Sequence, residues 1–225
     1  MSTASTAISM TVLKSLPLFA TFSPEQLHAF APMVTRRSAP RGTAVMHEGD
    51  AIDSLYIVIS GRLKVTMGEA NGKETILSIL GAGEFFGEMG LIDDNPRSAS
   101  VIAIEVCELL TVTRQVFRKC LVENSNLAMA VMRVLVRRLR EADRKIGSLA
   151  MLDVYGRVAR LLLDMSENVN GQNVVTRRLS KQDIARMIGA SREMVSKVMK
   201  DLQTSGYIEV HGSTIVLRDK SARPR

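Results

Sequence analysis

The sequence predicts an α+β chain in three consecutive parts: an N-terminal antiparallel β-barrel of the jelly-roll kind, a long dimerisation helix and a C-terminal winged helix-turn-helix. Three observations support this prediction. Short apolar runs broken by glycine fill residues 43–112, an apolar heptad repeat follows, and two capped helical segments precede a hairpin in the last third. We place the three parts at residues 1–124, 125–153 and 154–225.

Composition limits the classes of protein. The chain has 225 residues, 46% of them hydrophobic and 24% charged, which is typical of a globular protein with a substantial core. We find no apolar run near the roughly 18 residues of a membrane span, and the first residues lack the pattern of a secretory signal. We therefore expect a cytoplasmic location and no contact with a membrane. We find no nucleophile–base pair, P-loop or metal motif, so we do not expect an enzyme.

The positive charge is concentrated at one end. The formal net charge is +7, and residues 154–225 hold 13 Lys and Arg against seven Asp and Glu. Such a surplus in one segment indicates a module that binds a polyanion. All six Phe precede residue 118, whereas a binder of single strands needs aromatic rings among its cations. We therefore expect the basic segment to bind duplex DNA and not a single strand.

The barrel is predicted from the strands between residues 43 and 112. The runs Tyr56–Ile59, Leu63–Met67 and Thr75–Leu80 are each followed by glycine, and residues 98–103 and 106–112 continue the pattern. Short strands with regular turn signals favour an antiparallel barrel or jelly roll. Four prolines before residue 41 punctuate a lead-in that we expect to form short helices over one end of the barrel.

The long helix is predicted from near Ser125 to Ser148 or slightly beyond. Its apolar residues recur at alternating steps of four and three, which favours a parallel coiled coil of two chains. The alternative is an amphipathic helix packed on its own barrel. Arginines at 137, 138 and 140 leave little apolar width beside the heptad positions and favour the homodimer. The heptad positions are Ala128, Met132, Leu135, Leu139, Ala142, Ile146 and Leu149.

The last third begins with another helix near Asp153. Val158, Leu161, Leu162 and Met165 form its apolar stripe. We interpret the polar residues 168–171, Asn-Val-Asn-Gly, as a loop.

Two capped helices and a hairpin follow. Ser180 is the expected N-cap of the first helix, with Asp183 at its third position, and Gly189 ends it. Ser191 caps the second helix. Strands at 208–210 and 214–217 form the wing, and the whole is a winged helix-turn-helix.

The second of these helices has a face suited to reading bases. With Val195, Val198 and Leu202 inward, its polar residues point outward. Arginine can bind guanine through two hydrogen bonds, and glutamate accepts one from cytosine N4. The alternative is a solvated helix face with local Arg192–Ser196 or Glu193–Lys197 pairs. The predicted reading face is Arg192, Glu193, Ser196, Lys197 and Lys200, and the predicted phosphate contacts are Arg177, Arg178, Lys181 and Lys200.

Five segments carry a resemblance to a known family. They are Phe86–Leu91, Pro96–Ala99, the helix through Arg137–Leu139, Leu152–Arg157 and Ile188–Val195. In this order, along nearly the whole chain, they resemble the bacterial family of the cyclic-AMP receptor protein and the fumarate–nitrate regulator.

The resemblance implies a homodimer with a cyclic-nucleotide-binding barrel, a dimerising helix and a winged helix that controls transcription. We expect a pseudo-palindromic DNA operator and RNA polymerase as partners, and the sequence leaves activator and repressor both open. By that similarity, Arg192, Glu193 and Lys197 match the base-contacting positions. Lys197 stands where the cyclic-AMP receptor protein has arginine, which implies less strict reading there.

A phosphate site is expected around the first two of these segments. Gly87 and Gly90 let backbone N–H groups approach an anion, and Arg97 offers a two-pronged donor. Ser98 adds a hydroxyl, and Glu88 can accept from a ribose 2′-hydroxyl. The alternative for Arg97 is a salt bridge to Asp93, Asp94 or Glu88.

The base of the nucleotide is less determined. In the cyclic-AMP sensors of this family a Thr–Ser pair on the long helix typically meets adenine, and here Ala142 and Asp143 stand there. A carboxylate is only an acceptor and suits the N–H donors of guanine. Arg140 and Asp143 also form an Arg-x-x-Asp spacing that resembles many cyclic di-GMP sites. The alternative is a salt bridge between Arg138 and Asp143 across the dimer.

The sequence thus leaves cyclic di-GMP and cyclic AMP open as the effector. A regulator that is effector-independent, or that senses redox state or a gas on the same scaffold, is the alternative function. Cys107 and Cys120 do not form a cluster, and the three histidines show no ligand spacing, so we expect no metal. The candidate nucleotide-binding residues are Gly87, Glu88, Met89, Arg97, Ser98, Arg138, Arg140, Ala142 and Asp143.

Overall fold

A computed structural model describes residues 9–68, 74–176, 179–212 and 214–218. The chain divides into two compact units, residues 1–137 and 138–225, which are described in turn. The division falls inside the long helix, and the sequence-based bounds of the three parts stay a prediction.

Two short helices open the first unit. They are α1 (Met10–Ser15) and α2 (Pro24–Phe30), and a capping box between Ser23 and Gln26 begins α2. The rings of Phe19, Phe22 and Phe30 pack against one another between these helices, with centroids 4.8–6.0 Å apart. The predicted helical lead-in is therefore present.

Among the residues described in this unit, eight antiparallel strands follow and form two four-stranded sheets. Their orders, β1-β8-β3-β6 and β2-β7-β4-β5, are those of a jelly roll, as predicted. Two helices accompany these strands. Helix α3 (Glu88–Asp93) lies between β6 and β7, and helix α4 (Arg114–Glu123) follows β8. The strands are β1 (Val34–Ala39), β2 (Ala44–Met46), β3 (Ser54–Ser60), β4 (Leu63–Gly68), β5 (Glu74–Leu80), β6 (Phe85–Phe86), β7 (Ser100–Ala103) and β8 (Cys107–Thr113).

The sheet that contains β3 and β8 is apolar on both faces. Ile57 and Leu110 point to one face, into a cluster completed by the helices. Val58 and Leu109 point to the other face, between the two sheets. Side chains alternate along a strand, and all four of these are fully buried. This sheet therefore packs against the helices on one face and against the second sheet of the jelly roll on the other.

The long helix α5 (Ser125–Met151) begins one residue after α4. Leu127 and Val131 are buried in the core of the first unit. For these turns the helix packs on its own domain, which the sequence held as the alternative. Met132, Leu139 and Ile146, at heptad positions, are 49–64% exposed in the single chain.

The second unit has a three-helix core with a small sheet. Its sheet order is β11-β12-β10-β9, so the wing is joined to an earlier hairpin. The prediction of a loop at residues 168–171 was wrong, because Asn170 (φ 51°) and Gly171 (φ 80°) form the tight turn of that hairpin. The elements are α6 (Val154–Asp164), β9 (Glu167–Val169), β10 (Gln172–Val175), α7 (Lys181–Ile188), α8 (Arg192–Thr204), β11 (Ile208–His211) and β12 (Thr214–Leu217).

The predicted helix boundaries of this unit are confirmed. Ser180 and Asp183 form a reciprocal capping box at the start of α7. Gly189 ends α7 in the left-handed conformation, and the Ser191 side chain accepts a hydrogen bond from the backbone of Met194. These contacts set the turn between α7 and α8. Within the residues described, no helix is both long and apolar enough to span a membrane.

Candidate nucleotide cassette and DNA-reading helix

The loop before α3 is built around Gly87 and Arg97. Gly87 has a φ of 84°, and a Cβ atom there would lie 2.5 Å from the Arg97 Nη1 and 3.2 Å from the Ser54 carbonyl oxygen. Both the backbone conformation and the lack of space require glycine. Glycine is therefore needed at position 87 because the Arg97 side chain lies directly against its backbone.

Arg97 is 4% exposed and is held by three acceptors. Its Nη1 donates to the Gly87 carbonyl at 2.7 Å, and its Nη2 donates to Asp53 Oδ1 at 2.9 Å and to the Ser54 carbonyl at 2.6 Å. The salt-bridge partner is thus Asp53, and the sequence alternatives Asp93, Asp94 and Glu88 were wrong. The Asp53 side chain is itself 70% exposed, so the ion pair joins a buried arginine to a carboxylate at the surface.

The other candidate residues for phosphate binding in this unit, Glu88, Met89 and Ser98, lie beside Gly87 and Arg97. Glu88 is only 2% exposed in the first turn of α3, whereas Met89 is 53% exposed. The exposed Ser98 hydroxyl lies 3.7 Å from the Met89 sulfur. The structure therefore brings together all five candidates of the first unit: Gly87, Glu88, Met89, Arg97 and Ser98.

Sequence reasoning missed Asp53 and Tyr56 beside this loop. Tyr56 stacks on Phe86 with ring centroids 5.2 Å apart, and the Arg37 guanidinium lies 5.8 Å from its ring centroid. Burial raises the pKa of Tyr56, and the Asp53 carboxylate adds to this. Its hydroxyl is therefore neutral at physiological pH. These residues are distant in sequence from residues 87–98, and β3 reads as an ordinary buried strand, so the sequence carried no signal for them.

The other candidates for nucleotide binding lie on α5 in the second unit. Arg140, Ala142 and Asp143 are exposed, and Arg138 is half-buried and has a partner. Arg140 and Asp143 are three residues apart and therefore share a side of the helix. Their contact with a nucleotide stays a prediction.

The second helix of the helix-turn-helix has the predicted orientation. Val195, Val198 and Leu202 are buried, at 0%, 8% and 4% exposure. Lys197 and Lys200 have no salt bridge to any other described residue. Met194 is 49% exposed beside this face and was not predicted. Arg192, Glu193, Lys197 and Lys200 are exposed, Ser196 is half-buried, Lys181 is exposed at the start of α7, and Arg177 and Arg178 lie outside the described residues.

Glu193 is held at the start of α8. Its own backbone N–H and the Ser191 hydroxyl donate to the carboxylate and hold the pKa of Glu193 below its ordinary value. The carboxylate is therefore ionised at neutral pH and can only accept hydrogen bonds. This is the state that a contact with a cytosine amino group requires.

Both cysteines are free thiols in packed surroundings. Cys107 is buried and Cys120 half-buried, and burial raises the pKa of each. Neither is therefore a thiolate at neutral pH. Within the described ranges there is no group of three His, Cys, Asp or Glu residues that could hold a metal ion.

Comparison with known proteins gives two family matches along the chain. A family described as "Cyclic nucleotide-binding domain" matches residues 36–124, and "Crp-like helix-turn-helix domain" matches residues 156–222. A CRP-like cAMP-activated global transcriptional regulator of Mycobacterium tuberculosis is 31% identical over 218 residues, which cover 95% of this chain and 97% of that protein. The chain belongs to the family of CRP-like transcriptional regulators.

Two further relatives illustrate the range of this family. The cAMP-activated global transcriptional regulator CRP of Haemophilus influenzae is 36% identical over 182 residues, covering 79% of this chain and 81% of that protein. The solved structure of CLP, a c-di-GMP-responsive global regulator of Xanthomonas campestris, has a TM-score of 0.73 and 32% identity, covering 88% of this chain and all of that one. This CRP-like regulator thus combines a cyclic-nucleotide-binding domain with a DNA-binding helix-turn-helix, and its relatives are regulators of transcription.

Proposed function

We propose that this CRP-like regulator is a cytoplasmic homodimer whose affinity for an operator is set by a cyclic nucleotide bound at the cassette of Gly87, Glu88, Met89, Arg97 and Ser98. One observation carries the proposal: a buried arginine at a glycine turn, paired with an exposed carboxylate that an incoming phosphate can replace. We further propose RNA polymerase as a partner.

The effector is a cyclic nucleotide, for which cyclic di-GMP and cyclic AMP are the two candidates. The relatives in M. tuberculosis and H. influenzae are cAMP-activated, and CLP is c-di-GMP-responsive. Ala142 and Asp143 replace the hydroxyl pair that typically meets adenine, and Asp143 offers only acceptors. Those two residues favour a guanine base.

Calorimetry with each nucleotide tests the effector. We expect the wild type to bind cyclic di-GMP, and the double variant Ala142→Thr/Asp143→Ser to gain affinity for cyclic AMP at its expense. Arg97→Gln should weaken either nucleotide by roughly 10-fold or more, because a charge-assisted hydrogen bond is lost. Binding of cyclic AMP alone by the wild type would contradict a guanine effector.

The homodimer is proposed from the exposed heptad positions of α5. Leu139, Ile146 and Leu149 are 62%, 64% and 55% exposed. Met129 and Val136, next to the heptad positions, are also nearly half exposed. Such a stripe is costly to leave in water, and a parallel pairing of two helices would cover it.

DNA reading is assigned to α8. We propose that Arg192, Glu193, Ser196 and Lys197 meet base edges, and that Lys181 and Lys200, together with Arg177 and Arg178, bind phosphates. A dimer then reads two half-sites about one helical turn apart, which predicts a pseudo-palindromic operator.

Arg192→Ala tests this face, with Arg160→Ala as its control, because Arg160 is an exposed arginine elsewhere in the same unit. We expect Arg192→Ala to lose about 1–3 kcal/mol of operator binding and to keep nucleotide binding. Unchanged operator binding would refute the assigned face. An operator selected from random duplexes by the wild type serves as the DNA.

A further inference from the structure

The C-terminal end of α3 is tied to α4 by an ion-pair cluster. Arg118 donates through Nη2 to Asp94 Oδ1 at 2.8 Å and through Nε to the Leu91 carbonyl at 2.8 Å. Arg114 also donates to Asp94 Oδ1. Both arginines stand one turn apart on the same side of α4. The end of the cassette helix is therefore held at three points by one face of α4.

Asp94 occupies a backbone conformation that suits glycine better. It caps α3 with φ 62°, in the left-handed region, where its N–H donates to the Gly90 carbonyl. A side chain at such a position costs free energy that glycine avoids. Among the described residues, the side chain of the neighbouring Asp93 accepts hydrogen bonds from no other residue than Asn95, two residues away. Asp94 thus places a carboxylate at the end of α3, where it accepts hydrogen bonds from both arginines of α4.

The helix that receives these contacts is joined tightly to α5. Asn124 is the single residue between α4 and α5. Its N–H donates to the Cys120 carbonyl, and its side-chain oxygen accepts from the Leu127 N–H at 3.1 Å. Phe117 and Leu127 are both 2% exposed in one apolar cluster. The two helices therefore meet at a hydrogen-bonded joint with little freedom.

We propose that Asp94, Arg114 and Arg118 form a clamp that positions the end of the phosphate cassette and transmits its displacement through α4 into α5. This inference rests on the proposed function, because it assigns the path by which an occupied cassette acts on the long helix. The two arginines hold the pKa of Asp94 below its ordinary value, Arg118 most strongly, so the carboxylate is charged at neutral pH.

Stability is not the expected readout of the clamp. The side chains of Asp94, Arg118 and Arg114 are 57%, 41% and 37% exposed, and exposed ion pairs contribute little to the free energy of unfolding. The quantity that the clamp should change is the coupling factor, which is the operator Kd without nucleotide divided by the Kd at saturating nucleotide.

The first experiment measures the coupling factor of the full-length protein with cyclic di-GMP and, separately, with cyclic AMP. Asp94→Asn is the main variant, since asparagine also tolerates the left-handed region. Asp93→Asn is its control, and Arg118→Gln removes the other side. We expect Asp94→Asn and Arg118→Gln each to lower the coupling factor at least about fivefold, with nucleotide Kd changed much less and Asp93→Asn like wild type. A coupling factor within twofold of wild type in Asp94→Asn overturns the proposal.

The second experiment needs no nucleotide. In hydrogen exchange of the ligand-free protein, Asp94→Asn should speed exchange in both α3 and α4, and Asp93→Asn should leave α4 unchanged. Exchange that rises in α3 alone overturns the clamp. If neither nucleotide affects operator binding by the wild type, the proposed function fails, and this second experiment decides the clamp by itself.

Discussion

Gly87 shows how much of the cassette depends on one missing side chain. Its conformation has a positive φ, and the Arg97 guanidinium fills the space where a Cβ atom would lie. Gly42 has the same φ within one degree, with no atom within 4 Å of its ideal Cβ position. A comparison of the two glycines therefore separates two effects of an added side chain: backbone strain, which both positions share, and steric overlap, which occurs only at Gly87.

Gly87→Ala is expected to be more harmful than Gly42→Ala. Strain alone should cost each variant about 1–2 kcal/mol, and Gly87→Ala should also displace Arg97 and weaken the binding of cyclic nucleotide. Urea unfolding and calorimetry check the two parts. Equal nucleotide affinity in the two variants would show that Arg97 does not depend on Gly87.

At the scale of elements, the turn of the helix-turn-helix is held from α6. Arg157 donates through Nη1 to the Ile188 carbonyl at the end of α7, at 2.8 Å. Its Nε is buried without a partner among the described residues. A cation at a helix C-terminus also interacts favourably with the helix dipole. Arg157, which lies on α6, therefore helps to hold the turn between α7 and α8 in position.

Arg157→Met should lower the stability of the α7–α8 turn by about 1–2 kcal/mol, because the Ile188 carbonyl loses a charged donor. Hydrogen exchange of the α7 and α8 amides measures this opening. Arg160→Met is the control, since the one salt bridge of Arg160 to a described residue is that to Asp164 within the same helix. Equal exchange in the two variants would remove Arg157 from this role.

The proposed dimer can be tested on α5 itself. Ile146→Asn removes an exposed apolar side chain from a heptad position, while Arg144→Asn changes the opposite side of the helix. Burial of two isoleucines contributes about 3–6 kcal/mol, so Ile146→Asn should raise the dimer dissociation constant about 100-fold or more. Sedimentation over a range of concentrations measures it. A dimer unaffected by Ile146→Asn would place the interface elsewhere.

For the whole molecule, the charge of residues 154–225 predicts where salt dependence arises. Lys200→Gln removes one proposed phosphate contact per chain, so a dimer should lose about 1.8 from the slope of log K against log salt. Lys119→Gln, in the first unit, should leave the slope unchanged. An unchanged slope in Lys200→Gln would show that this lysine does not contact phosphate.

Much of the fold and of the site was predictable because it depends on neighbours in sequence. The caps Ser180, Gly189 and Ser191 act within four residues, and the burial of Val195 and Val198 follows from helical period alone. The jelly roll followed from short strands between turns. The hairpin at 167–175 was also signalled by Asn170-Gly171, the pair most typical of such turns, but the polar residues around it were interpreted as a loop.

What the sequence by itself determined is the order of modules and the helix ends, since these follow from local periodicity and capping. The choice of cassette and reading residues was made from the same local patterns and stays a prediction. The tertiary structure alone decided the partners. Arg97 forms an ion pair with Asp53, and Arg118 forms one with Asp94. Leu127 packs into the apolar core of the first unit. All three contacts exist because folding brings distant segments together. A sequence pattern shows that an arginine needs an acceptor, but only packing determines which carboxylate lies within reach.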